Sequence, residues 1–273
     1  MTSLDRFDHP LTGRYASEEM QRLFSTGNRY TMWRRLWLAL ASAEKELGLD
    51  IPDEALEQML THLEVTTDDL ERVREYEKRT RHDVMAHLEA FADRAPAARP
   101  ILHLGATSAY VGDNADLIIT RDALDLVITR VLAVIAALAA FADKWADEPT
   151  LGMTHFQPAQ PTTVGKRACL WLQDFLLDLE RLHFERGRLK MRGVKGTTGT
   201  QATFLELLDG DHEKVRALDR RVAENLGFSD GYPVTGQTYP RKVDAFVLDA
   251  LSGVGQSAAK FATDIRLLAR LKE

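Results

Sequence analysis

Cysteine is nearly missing: one of the 273 residues, Cys169, carries a thiol. An internal disulfide and a cysteine-rich metal cage are therefore excluded, and a reducing compartment, the cytoplasm, is expected. A surplus of positive charge is missing too. Thirty-five Lys and Arg stand against 41 Asp and Glu, a formal charge of −6. No basic field draws in nucleic acid, so any anionic ligand has to be held by local donors. Long hydrophobic runs are short of membrane length, since the longest, Val131 to Ala142, is twelve residues, and the start MTSLDRFDHP has no hydrophobic signal core. A soluble chain without a membrane partner is expected. What the chain does have is a 45% hydrophobic share, typical of proteins that bury a core.

Glycine and proline are absent from Asp113 to Ala146, where apolar residues recur at three- and four-residue steps through Leu117, Leu124, Val127, Val131, Val134 and Leu138. That pattern predicts one very long helix. A second is predicted from about Val164 to Met191, on the stripe Leu170, Leu172, Phe175, Leu176, Leu179 and Leu182, and a third from near Pro240 through Phe246, Leu251, Phe261 and Leu268. Period-two clusters of β-branched residues are missing, so no sheet is expected. The fold class is all-α, with helices far above the globular mean of about 11–12 residues, as in an elongated bundle. Shorter helices are predicted at Ser17–Phe24, Tyr30–Leu47, Asp53–Leu63, Thr67–Lys78 and Asp83–Phe91. A hinge of Gly, Ser and Thr at Pro100–Gly112 divides an N-terminal helical domain, residues 1–111, from a long-helix bundle, residues 112–273. The final DIRLLARLKE keeps helical period without a stop signal, which reads as a piece of a longer protein.

Four polar islands interrupt the helices. TGRY places Arg14 and Tyr15 before the first helix, where a snorkelling arginine would also suit. KRTRHDVMAH sets Arg81, His82 and Asp83 at a helix start, whose free N–H groups favour an anion, although Asp83 also suits an ordinary cap. His82 and His87 are five apart, which does not match two metal ligands on one helix face, so no metal is expected. HLGATSAYVGDN offers the hydroxyls of Thr107 and Ser108 ahead of the long helix, with Asp113 or Asn114 as its cap; the segment suits a carboxylate or phosphate site and a tight interdomain turn equally. GMTHFQPAQPTTVGKR holds His155 beside Thr154, and a histidine is the side chain most easily poised as acid or base near neutral pH. TGQTYPR adds Gln237, while GVKGTTGTQ lacks the spacing of a P-loop. Together these suit an anionic small molecule undergoing proton transfer.

The strings RHDVMAH, HLGATSAYVGDN, GMTHFQPAQPTTVGKR, RGVKGTTGTQ, TGQTYPRKVD and TDIRLLARLKE strongly resemble the adenylosuccinate lyase family, within the fumarase/aspartase superfamily, colinearly over essentially the whole chain. The resemblance implies a small helical domain followed by a central bundle, a homotetramer with active sites shared between subunits, a nucleotide substrate and no cofactor. It implies β-elimination of fumarate from succinyl-AMP and from a succinylated ribotide of purine synthesis. His155 would be the general acid. Arg14, Tyr15, Arg81, His82, Asp83, Thr107, Ser108, Thr154 and Gln237 would contact substrate. The family's serine-rich loop, which carries the catalytic base, would begin just after LLARLKE, so this chain alone is expected to be inactive. The alternatives are another superfamily lyase, such as an argininosuccinate lyase or a fumarase, and a non-catalytic helical oligomerisation module.

Overall fold

The computed structural model describes residues 9–271; the leader reading of the first ten residues and the run of the last helix to Glu273 fall largely or partly outside them. The described chain is helical apart from one hairpin, as the periodicity predicts. Its elements are α1 (Pro10–Arg14), α2 (Glu18–Leu23), α3 (Thr26–Glu46), α4 (Asp53–Thr61), α5 (Thr67–Thr80), α6 (Asp83–Arg94), α7 (Ser108–Lys144), β1 (Pro149–Thr154), β2 (Gln157–Thr163), α8 (Val164–Arg188), α9 (Ala202–Leu207), α10 (His212–Asn225) and α11 (Lys242–Arg270). They pack as two units that interleave in sequence. The first holds the chain up to Ala123 together with Lys190–Pro240, and the second holds Leu124–Leu189 with the chain from Arg241 on. Residue 111, where the sequence places its domain boundary, lies in the first turn of α7 within the first unit.

In the first unit α3 is the buried axis. Ser25 caps it, its hydroxyl accepting from the Asn28 N–H, and Leu36, Trp37, Leu40 and Ala43 are sealed from solvent. Burial of each large apolar side chain contributes about 1.5–3 kcal/mol. Trp37 stacks on Phe91 of α6 with ring centres 6.0 Å apart. Arg34, also on α3, lies 3.3 Å from Asp69, which in turn accepts from Arg94 at 3.0 Å; Arg34 and Asp69 are both 2% exposed. A buried cation here is tolerated because Arg34 also donates to the carbonyls of His62 and Glu64. α10 packs on α3, burying Val215, Leu218 and Val222. The sequence reading assigns no helix to this stretch.

In the second unit α8 packs on α11, with Trp171 set edge-on to Phe261 at 5.1 Å and donating its indole N–H to Asp264 at 2.8 Å. A Cβ at Gly253 would stand 2.8 Å from the Asp178 carboxylate, so the small residue lets α11 approach α8 closely.

Three expectations are corrected. The segment 149–163 is an antiparallel two-stranded hairpin with a bulge between Leu151 and Met153, not a loop. PTLGMT and QPAQPTT lack β-branched alternation because both strands are largely exposed and bury no face. Asp113 and Asn114 do not cap α7, which begins at Ser108; Asn114 is fully buried within it and exchanges hydrogen bonds with Gly193. Lastly, α7 is long and apolar enough to cross a membrane by length and composition, because its best 18-residue window has a mean hydropathy of 2.2. Counting an unbroken run stops at Arg130 and misses this. Only 22% of that window is buried, and an apolar exposed surface of that kind is also what a helix in an oligomeric bundle presents.

Candidate active site

Within the first unit, the structure joins one of the four polar islands, HLGATSAYVGDN, to the two further segments GVKGTTGTQ and TGQTYPR. Gln237 sits on the loop before α11, and its amide nitrogen donates to Thr107 Oγ1 at 2.8 Å, while its amide oxygen accepts from the Thr198 N–H at 2.7 Å. Thr107 precedes Ser108, the first residue of α7, so both hydroxyls stand where the helix's unpaired N–H groups begin. Gln237 and Thr198 are exposed, and Thr107 and Ser108 are half-buried. The arrangement is a rim of neutral hydroxyl, amide and backbone donors of the sort that binds carboxylate oxygens.

The loop carrying Thr198 is held in an unusual conformation. Thr198 has φ 62° and Gly199 φ 83°. A Cβ on Gly199 would come within 2.2 Å of the Thr235 carbonyl and 2.4 Å of the Gly236 carbonyl, so only glycine lets this loop lie against the one bearing Gln237.

Arg81, His82 and Asp83 form the corner between α5 and α6. Arg81 is the left-handed C-cap of α5, φ 53°, rather than part of the following helix. The cap of α6 is His82, whose Nδ1 accepts from the Met85 N–H at 3.4 Å; Asp83 accepts from the Val84 N–H at 2.7 Å. All three side chains are exposed. Arg14 closes the short helix α1 and Tyr15 follows it, 76% exposed. Among the described residues, no hydrogen bond or ion pair joins Arg14 or Tyr15 to the Thr107–Gln237 rim.

Thr154 and His155 belong to the second unit, at the hairpin tip. Thr154 pairs with Gln157, and the two residues between them, His155 and Phe156, have φ 53° and 56°. Two successive positive φ values make the tight turn whose twist matches a hairpin, ordinarily built from Asn and Gly. Neither residue is glycine, so the tip stores strain of about 1–2 kcal/mol per residue. It holds the imidazole in solvent, beside a cleft of about 450 Å³ bordered by Lys166, Arg167 and Lys260.

Sequence reasoning passed over His103. It lies on the hinge with φ 61°, and its Nδ1 accepts from the Trp37 indole N–H at 2.9 Å, which leaves the ring's proton on Nε2. Burial lowers its pKa to about 4, so it is neutral at physiological pH. It also passed over Arg192 and Lys195, which are buried beneath the rim. A charged residue in a Gly-rich string reads as exposed, and no local signal distinguishes these two.

The profile of a family described as lyase matches residues 13–271. An adenylosuccinate lyase of Saccharomyces cerevisiae is 56% identical over the whole chain, which covers 57% of that relative. An adenylosuccinate lyase of Pyrococcus horikoshii is 31% identical over 96% of the chain and 56% of its own length. Among solved structures, a fumarate lyase from Mesorhizobium sp. BNC1 superposes with a TM-score of 0.80 at 29% identity, covering 93% of this chain and 58% of that one. The chain thus spans little more than half the length of the curated relatives it matches.

Proposed function

We propose, from the premise that this chain belongs to the lyase family, that it supplies the acid-bearing and substrate-binding part of an adenylosuccinate lyase. The observation that carries this reading is the identity, over the whole chain, to relatives bearing that name. The reaction is a β-elimination. A base takes a proton from the succinyl carbon, the adjacent carboxylate delocalises the carbanion, and the carbon–nitrogen bond breaks as an acid protonates the departing nitrogen, releasing fumarate and the nucleotide. His155 is assigned the acid's role, which its exposed position on a rigid tip suits. Thr107, Ser108 and Gln237 bind a succinyl carboxylate, with Thr154 beside the acid. Arg14, Tyr15, Arg81, His82 and Asp83 hold the nucleotide. No cofactor enters the proposed chemistry, and the base belongs to the remaining length of the relatives. A cytoplasmic homotetramer, with sites completed by neighbouring subunits, is part of the same proposal.

The test is a chimera in which this chain replaces the matching portion of the S. cerevisiae relative. It is expected to release fumarate from adenylosuccinate, and His155→Ala is expected to lower kcat by roughly 10²–10⁴-fold with helical content retained. An inactive but folded chimera, or one that prefers argininosuccinate, overturns the assignment. Full activity in the His155→Ala form overturns the role given to the imidazole.

A further inference from the structure

We infer that Arg192 is a positioning residue, a buried clamp that fixes Gln237 against Thr107 and Thr198. Its guanidinium is sealed from solvent and donates to three main-chain carbonyls on two separate loops: Nε to Gln237 at 2.9 Å, Nη1 to Lys195 at 2.8 Å and Nη2 to Gly196 at 3.2 Å. Two of these acceptors lie just before Thr198, and the third is the carbonyl of Gln237 itself. The same two loops meet again at the surface, where the Thr198 N–H donates to the Gln237 side chain. One planar cation therefore sets the distance between the two loops, and the Gln237 amide bridges what remains.

The surrounding frame is rigid on both sides. Lys195 Nζ donates to the carbonyls of Arg192 and Tyr232, 2.9 and 2.8 Å away, and lies 3.6 Å from Asp219. Asp219 accepts from the Val194 N–H at 2.6 Å, and Asp113 accepts from the Tyr239 N–H at 2.7 Å. Asp113 and Asp219 are also the carboxylates that offset the Arg192 charge, whose pKa burial depresses. The loop of Thr198 holds a single 3₁₀ turn, Thr197–Gly199, and beyond the isolated bridge of Met191 with Gly231 no regular backbone ladder joins it to the loop of Gln237 in place of the clamp. A lysine has no fork to reach three carbonyls at once, and an apolar side chain would take away the side-chain donor of the Lys195 and Gln237 carbonyls and leave the Gly196 carbonyl only the Gly199 N–H.

The assignment of Gln237 to substrate binding rests on the proposed lyase reading, but the clamp is measurable without it. In the 273-residue chain, amide hydrogen exchange is compared between wild type, Arg192→Lys and Arg192→Met. Thr198 is expected to exchange roughly ten-fold faster or more in both variants, while amides of α3 and α10 keep their wild-type rates. Unchanged Thr198 exchange in either folded variant overturns the inference. So does uniform acceleration across the first unit, or loss of helical circular dichroism in both variants, because either makes Arg192 an ordinary core residue. In the chimera, Arg192→Lys is expected to raise KM for adenylosuccinate by more than it lowers kcat, and a fall in kcat alone counts against positioning. A wild-type chimera without activity removes the lyase reading and leaves the exchange result standing.

Discussion

Glu44 shows what a single residue contributes and costs in this molecule. It is 1% exposed on α3, and neither carboxylate oxygen has a hydrogen-bond partner. Burial pushes its pKa up from 4.5 to about 8. The folded state therefore holds a proton that the unfolded chain releases above about pH 4.5. The protection this gives is complete below that pH and is lost as the pH rises towards 8, at about 1.4 kcal/mol per pH unit. Denaturant titrations between about pH 7 and 8, above the range in which the buried neutral His87 and His103 act in the opposite direction, are expected to show that downward slope, and Glu44→Leu is expected to flatten it and to raise stability at pH 8. An equal slope in the variant would assign the pH dependence to other groups. Asp69 acts in the opposite direction. Burial pushes its carboxyl up, but the Thr66 backbone, Arg34 and Arg94 outweigh this and hold its pKa near 2, so its contribution persists at neutral pH and is lost only in acid.

Among elements, the long helices were legible and the hairpin was not, for one physical reason. A helix that buries a stripe must repeat its apolar residues at 3.6, and α8 shows this in part: Phe175 and Leu182 of the predicted stripe are buried, with Ala168 and Trp171 completing the buried face, while Leu170 and Leu176 of that stripe are exposed. A hairpin that buries nothing has no reason to alternate. α10 lies between these cases: its stripe of Val215, Leu218 and Val222 is present but short, and is surrounded by charges that face water. The candidate site was legible as islands and not as an arrangement. Nothing local says that Gln237 meets Thr107, 130 positions away, or that Arg192 turns inwards. The hairpin tip offers a test of its own. Phe156 is 77% exposed and has positive φ, so Phe156→Gly loses little packing and relieves strain. Melting of the hairpin and α8 is expected to shift upwards, by up to about 1 kcal/mol. A downward shift would show that the tip is not strained.

At the scale of the whole molecule, each packing unit is made from two stretches of chain. Within the second unit, exposed apolar side chains on α8 and α11 include Leu170, Leu177, Phe184, Leu248 and Ile265. Surfaces of this kind drive association, so light scattering of the purified chain is expected to report an assembly, and a monomer at micromolar concentration would contradict the bundle reading. The interleaving also sets an order in time. The ribosome delivers α3 early, but α10, which packs on it, and the loop bearing Gln237 follow only after Leu124–Leu189 has been made. At roughly 5–20 residues per second, the interval between residues 123 and 240 is on the order of ten seconds. Throughout that interval the apolar side of α3 and the first turns of α7 lack their later partners, and the nascent chain depends on whatever shields them.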